Sequence, residues 1–269
     1  MAGILSIQTN PIIENKKLNL ENIKKEIQKN TNNELDLVIM PEFFSTGISQ
    51  EFGKNPEDEN GGETIRFIQN IAQEFNTNII AGTVIEKTDN KCYNTTFAIN
   101  RSGDIIGKYR KIHLFNYMGG NEGNLITPGN KEVVVDMDFC KVGLAICFDI
   151  RYPLHFKKLA KMGAEIIVLP TAWVIPDEVF ENKDTLRYAQ EMWISMLRTR
   201  AYDNMVYLVS SGLTKKVDEK RSCLGTSLII SPTAEILAKA NTEEGSIYAQ
   251  IDTKAVNYLK SIYPIADID

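Results

Sequence analysis

Short runs rich in β-branched residues recur along this 269-residue chain, and helix-patterned stretches separate many of them. GILSIQ (3–8), LDLVIMP (35–41), TNIIAGTVIE (77–86), CYNTTFAIN (92–100), KVGLAIC (141–147), AEIIVLP (164–170), NMVYLVSSG (204–212), TSLIISP (226–232) and GSIYAQID (245–252) read as strands. Helical patterns cover 15–30, 63–76, 153–162 and 185–203, while NRSGD (100–104) and SPTAE (231–235) read as hairpin turns. Such a mixture dictates layered α/β, with both helix-connected and hairpin-connected strands. No internal repeat, low-complexity linker or composition break divides the chain, so residues 1–269 are read as one domain. GKNPEDENGG (53–62) is a polar loop, short enough to be a surface excursion or a lid.

Three runs end in reactive side chains. VIMPE delivers Glu42, GKYRKIHLF carries Lys111 in a strand-like run, and GLAIC delivers Cys147 at the last strand position. Functional groups gather where strands of an α/β sheet stop, because residues there leave the ladder and face a crevice. Each has a plainer reading alone: a buried cysteine as a small hydrophobe, a solvated loop acid, a surface lysine. If they converge in one pocket, they form a nucleophile, a general base and an oxyanion stabiliser that need no histidine. The helix expected from Pro153, together with a nearby cation, is expected to lower the Cys147 pKa. Cys92 and Cys223 read as strand-flanking loop residues and Cys140 as a turn residue before its strand. His113, two residues after Lys111, is expected on the same side as a packed, hydrogen-bonded spacer, and His155 as structural.

A net charge of −5 and a pI near 5.3 argue against nucleic acid. The densest basic stretch, KKLNLENIKKEIQKN, places Leu18, Leu20, Ile23 and Ile27 at helical spacing, so its lysines form a solvated helix face. No apolar run approaches the roughly 20 residues of a membrane span, and MAGILSIQTNP lacks the pattern of a secretion signal. Four cysteines without a CxxC pair suit a reducing compartment, and a cytoplasmic location is expected. Two histidines are too few for a His-rich metal site, and neither a metal nor an organic cofactor is expected.

VIMPEFFSTG, GKYRKIHLF and GLAICFDIRYP, in that order, resemble the glutamate, lysine and cysteine segments of the nitrilase superfamily, the carbon-nitrogen hydrolases. IIAGTVIE, YNTTFAI, GAEIIVLPTAW, RTRAYDN and AEILAKA also match, so the resemblance covers nearly the whole chain. It implies a four-layer α-β-β-α sandwich that pairs through its outer helices into a homodimer. It implies Glu42 as base, Lys111 as oxyanion stabiliser aided by the Phe148 backbone N–H, and Cys147 as nucleophile. Glu122, before the PG turn, stands where a further family glutamate orients the lysine or the substrate; its plainer reading is a loop acid. The elbow is most similar to those of omega-amidase-like small amidases, which implies a small linear amide, such as a dicarboxylic acid monoamide, as substrate. An N-carbamoyl amine or nitrile hydrolase with the same residues, a catalytically silent scaffold and a thiol redox protein are the alternatives. Arg151 is a candidate partner for a substrate carboxylate, or an elbow salt bridge, and Trp173 a candidate pocket wall or a core residue. The stretch WVIPDEVFENKDTLRYAQEMW (173–193) is longer than in compact omega-amidases, and SIYPIADID lacks the further tail of many relatives.

Overall fold

The computed structural model describes residues 1–48, 56–117 and 120–265. Its first half runs β1 (Ala2–Gln8), α1 (Lys16–Gln28), β2 (Leu37–Ile39), α2 (Gly62–Phe75), β3 (Asn78–Ile80), β4 (Val84–Thr88), β5 (Lys91–Ile99) and β6 (Ile105–Arg110). Next come β7 (Val133–Asp136), β8 (Lys141–Leu144), α3 (Pro153–Lys161), β9 (Ile166–Thr171), β10 (Val174–Pro176), α4 (Glu178–Glu181) and α5 (Lys183–Asn204). Then follow β11 (Tyr207–Gly212), β12 (Thr214–Lys216), β13 (Arg221–Leu224), β14 (Leu228–Ile230), β15 (Ile236–Lys239), β16 (Gly245–Ile251) and α6 (Thr253–Ile262).

Two large sheets result. One has the order β16-β1-β2-β3-β5-β4 with β6 on β5, and the other the order β15-β14-β11-β9-β8-β7. The central pairs β1–β2, β2–β3, β8–β9 and β9–β11 are parallel, as helix-connected strands must be, and the flanking pairs are antiparallel. Alternation along each strand then decides the layers. Ile4, Leu37, Ile39 and Ile80 of the first sheet meet Val142, Leu144, Ile166, Val168 and Val209 of the second in one apolar cluster. Their neighbours Leu5, Ile7, Val38 and Ile79 point the other way and pack on Leu20, Ile23 and Ile27 of α1 and Ile65 and Ile68 of α2. Ile167, Leu169 and Leu208 likewise pack on Phe156 and Leu159 of α3 and Trp193 and Leu197 of α5. The arrangement is the α-β-β-α sandwich that the resemblance implies.

Several sequence readings need correction. TNIIAGTVIE is not one strand: the chain breaks at Gly82, and β3 and β4 each pair with β5. Gly82 has φ +43°, and a Cβ there would stand 2.1 Å from the Pro41 carbonyl, so the backbone of this turn packs directly against the segment carrying Glu42. β8 ends at Leu144, three residues before Cys147, and β6 ends at Arg110, one residue before Lys111. Cys92 and Cys223 lie inside β5 and β13 rather than in loops. Much of 173–193 is ordered as β10, α4 and the start of α5, with β10 joining β13 and β12 in a small third sheet. Within GKNPEDENGG, residues 53–55 lie outside the described residues; Glu57 beyond them is buried, bonded to Lys16 and Thr64. Of the SIYPIADID terminus, residues 266–269 also lie outside them. No helix among the described residues is long and apolar enough to cross a membrane.

Candidate active site

Three chain segments, each just past a strand, converge between the sheets. After β2 the chain turns through Pro41 and Glu42 into Phe43, whose φ is +55° and whose N–H donates to Thr83 Oγ1 at 3.0 Å. After β6, the Lys111 N–H stays on the ladder through the Asn94 carbonyl at 2.9 Å, while its side chain turns inward and is 2% exposed. After β8, Cys147 opens a short 3-10 turn, Cys147–Arg151, with φ +44°, a left-handed conformation that a non-glycine residue adopts only when its surroundings enforce it.

Asp149 braces this elbow. Its Oδ2 accepts from the Ile146 N–H at 2.8 Å and from the Tyr109 hydroxyl at 2.7 Å. Its Oδ1 accepts from the His113 N–H at 3.2 Å and pairs with His113 Nδ1 at 2.6 Å. One fully buried carboxylate thus ties the cysteine elbow to the segment that carries Lys111. Burial alone would raise its pKa, but the His113, Ile146 and Tyr109 hydrogen bonds bring it below the usual value. His113 stacks on Tyr152 with ring centroids 3.5 Å apart. It is packed and hydrogen-bonded beside the cysteine elbow, as the sequence reading expects. His155 is buried beside it, and burial pushes its pKa down.

Around Lys111 the side chains close a ring. Lys111 Nζ donates to Glu42 Oε1 at 2.8 Å and to Glu122 Oε2 at 2.9 Å. Asn94 Nδ2 donates to Glu42 Oε1 at 2.8 Å and to Glu122 Oε1 at 2.9 Å. Glu122 lies in a one-turn 3-10 helix, Glu122–Asn124, and its Oε2 also accepts from the Phe115 N–H at 2.8 Å. The remaining Glu42 oxygen, Oε2, accepts from the Ala172 N–H at 2.9 Å, and the Glu42 carboxyl lies near enough to Cys147 for each to shift the other's titration. Thr171 and Ala172, at the end of β9, lie against the sulfur.

The electrostatics follow from two carboxylates and one ammonium in a dry site. Burial raises the Glu42 pKa, Lys111 opposes it, and the charge of Glu122 adds to it. Burial alone would lower Lys111, yet Glu42 and Glu122 hold it well above its ordinary value, so it stays cationic. The Cys147 thiol is pushed up by burial and then by Glu42, with Lys111 opposing. This reverses the lowered pKa expected from the sequence: the helix terminus and cation weigh less than desolvation beside a carboxylate. The resting arrangement is a protonated thiol against a carboxylate base and a permanent cation, able to move a proton as a sulfur–carbon bond forms.

Phe148 follows the cysteine in the elbow, and its ring packs against Phe115 at 5.3 Å and Tyr152 at 5.9 Å. Arg151 is exposed, with its guanidinium 5.4 Å from the ring centre of Trp173. Trp173 is half-buried, packed 4.8 Å from Trp193 and against the core, one residue past the Ala172 that meets Glu42. Sequence reasoning missed Asn94 and Asp149. The signals were a carboxamide in the middle of a buried strand run, YNTTFAI, and an acid two residues after the cysteine in CFDIRYP.

A neighbouring charge cluster has the opposite stoichiometry. Glu86 of β4 is fully buried and accepts from Lys108 at 2.7 Å, Arg110 at 2.6 Å and Thr95 at 2.7 Å. Burial alone would raise it, but the Arg110, Lys108 and Thr95 bonds hold the Glu86 carboxyl at about 2.

The sequence profile of the carbon-nitrogen hydrolases matches residues 4–260. Omega-amidase NIT3 of Saccharomyces cerevisiae is 31% identical over 85% of this chain and 79% of its own length. The 2-oxoglutaramate amidase of Bacillus subtilis is 28% identical over 92% of this chain and 90% of its own. Among solved structures, Saccharomyces cerevisiae Nit3, a member of branch 10 of the nitrilase superfamily, superposes with a TM-score of 0.83 at 27% identity, covering 98% of this chain and 94% of that one.

Proposed function

The chain belongs to the carbon-nitrogen hydrolase family, as an enzyme acting on carbon–nitrogen bonds other than peptide bonds, and we propose that it hydrolyses the amide of a small dicarboxylic acid monoamide. The observation that carries the mechanism is the buried Glu42 carboxyl, bonded to Lys111 and lying beside Cys147. Because the thiol rests protonated, attack and proton transfer run together. The Cys147 sulfur bonds to the amide carbon as its proton passes to Glu42. Lys111, helped by the Phe148 backbone N–H, balances the charge that develops on the oxygen. Collapse of this tetrahedral species breaks the carbon–nitrogen bond, and Glu42 returns the proton to the departing ammonia. Water then attacks the thioester, Glu42 takes its proton, and the sulfur leaves with that proton restored. Glu122 keeps Lys111 in place through both steps. The names of the relatives support the monoamide substrate, and Arg151 over Trp173 is the candidate partner for its free carboxylate.

On this reading residues 1–269 form one hydrolase domain working in the cytoplasm, in keeping with four free cysteines. Two copies pair through the outer helices, where Leu154 of α3 and Tyr188 and Tyr202 of α5 are exposed apolar residues. Sedimentation at micromolar concentration tests this: a monomeric mass removes the pairing.

The test of function is ammonia release by wild type and Cys147→Ala from succinamate, glutaramate and 2-oxoglutaramate, beside N-carbamoyl amines and nitriles. Cysteine-dependent release from the monoamides alone is expected. Release confined to the carbamoyl compounds or nitriles reassigns the substrate, and undiminished release by Cys147→Ala overturns the mechanism.

A further inference from the structure

We propose that Asn94 is a positioning residue for this reaction: its carboxamide holds Glu42 and Glu122 in fixed orientation about Lys111. The inference rests on the assignment of Glu42, Lys111 and Cys147 above. Asn94 is in contact with all three members of the ring. Its Nδ2 spans Glu42 Oε1 and Glu122 Oε1, at 2.8 and 2.9 Å, and its backbone carbonyl accepts the Lys111 N–H at 2.9 Å. It sits in β5 opposite Ile85 of β4, so its backbone is pinned by the sheet.

The orientation of the amide is dictated by its neighbours. Turned over, its carbonyl oxygen would face two carboxyl oxygens, and neither Glu42 nor Glu122 would keep its amide donor. In the observed orientation both amide hydrogens have acceptors, and Asn94 Oδ1 is left buried without a hydrogen-bond partner. An orphaned buried acceptor is a cost a merely structural residue has no reason to carry. Packing alone would be served by an apolar side chain of the same shape, which would spare the orphan.

What the amide adds is a neutral pair of donors. Lys111 supplies one positive charge to two carboxylates, and a second cation in place of Asn94 would compete with Lys111 for Glu42 and weaken the base. A neutral donor restrains both carboxylates without neutralising either. With Oε1 held by Lys111 and Asn94, and Oε2 by the Ala172 N–H, the Glu42 carboxyl is held in one orientation by three donors.

The test compares Asn94→Asp with Asn94→Ala, reading the pH dependence of Cys147 alkylation by iodoacetamide and of ammonia release. Circular dichroism checks the fold. If Asn94 only fills space, the isosteric aspartate is the milder change. If it works as a donor, the aspartate is the harsher one, because it puts a third carboxylate in the ring. The expected result at pH 7 is a loss of at least roughly tenfold in alkylation rate for Asn94→Asp, exceeding that of Asn94→Ala. The acid limb is expected to move to higher pH in both. An unchanged acid limb, or an aspartate variant more active than the alanine variant across the range, overturns the proposal. Should the aspartate variant fail to fold, Asn94→Ser, whose hydroxyl can donate to only one carboxyl group, replaces it, and an unshifted limb there is equally decisive. Failure of wild type to turn over any monoamide strikes the substrate reading and leaves this comparison intact, since alkylation is scored on the sulfur itself.

Discussion

Glu42 and Glu86 are both enclosed carboxylates, and adjacent residues of one strand serve them: Asn94 bonds Glu42, and Thr95, pointing to the opposite face, bonds Glu86. Around Glu86 two cations meet one carboxylate, and its pKa falls to about 2. Around Lys111 two carboxylates meet one cation, and the pKa of Glu42 rises. The first cluster is overcompensated and clamps β4 to β5 and β6. The second is undercompensated, so its carboxylate carries an unspent tendency to take a proton. A buried acid becomes a brace or a base according to the charge count around it.

The sharpest way to break this comparison is to make the same substitution in both places. Glu42→Gln is expected to lower kcat/KM by at least roughly 10³-fold, within the range for removing a general base, measured as ammonia release. Glu86→Gln is expected to leave kcat/KM within about threefold, since Glu86 donates no group to the site. In thermal melts the two should diverge the other way. Glu86→Gln leaves Lys108 and Arg110 around a neutral amide and is expected to cost about 3 kcal/mol, a Tm loss of roughly 6–12 °C. Glu42→Gln removes a charge whose burial is opposed, and a gain of about 2–4 °C at neutral pH is expected.

Acidity sharpens the contrast further. The folded-state pKa of Glu86 lies below its unfolded value, so its contribution is fully present above about pH 4.5 and is lost as pH falls toward about 2. Allowing for solvent around Lys108 and Arg110, that contribution is on the order of 2 kcal/mol. Urea unfolding of Glu86→Gln over this window should lack the corresponding slope. Glu42 has the opposite sign: its raised pKa favours the folded state in acid, and that advantage is lost as pH rises through the folded value. The Tm gain of Glu42→Gln should therefore be present at about pH 8 and vanish near about pH 4.

The smallest expected effect is at Arg110, whose guanidinium reaches Glu86 through two nitrogens and lies 3.9 Å from the ring centre of Tyr93. Arg110→Lys keeps the charge but loses the fork and the stacking, and a destabilisation of about 1 kcal/mol is expected in denaturant melts.

The layered α/β class was legible because its two periodicities are written in the residues themselves, and the four-layer stacking came from the family resemblance. The helices read at 15–30, 63–76, 153–162 and 185–203 match α1, α2, α3 and α5 closely. The hairpin turns at 100–104 and 231–235 join β5 to β6 and β14 to β15. α6 was missed although Ala255, Leu259 and Ile262 recur at helical spacing; it is short and buries only Val256. β10, β12 and β13 were missed because strands of three or four residues, KK and RS among them, hold too little alternation to read. At the candidate site, Glu42, Lys111, Cys147 and Glu122 were named in advance and stand together. Asn94 and Asp149 were not, since a carboxamide in a strand and an acid in a turn look ordinary until their partners arrive.

The sequence by itself determined which residues could carry chemistry and which segments are strands or helices, because side-chain identity and local period are properties of neighbours along the chain. Only the tertiary structure decided what Glu42, Glu86 and Cys147 have become. Protonation depends on burial and on the charges within a few ångströms, and Glu42 meets Asn94, Lys111 and the Ala172 N–H across separations of 52, 69 and 130 residues that no local pattern records.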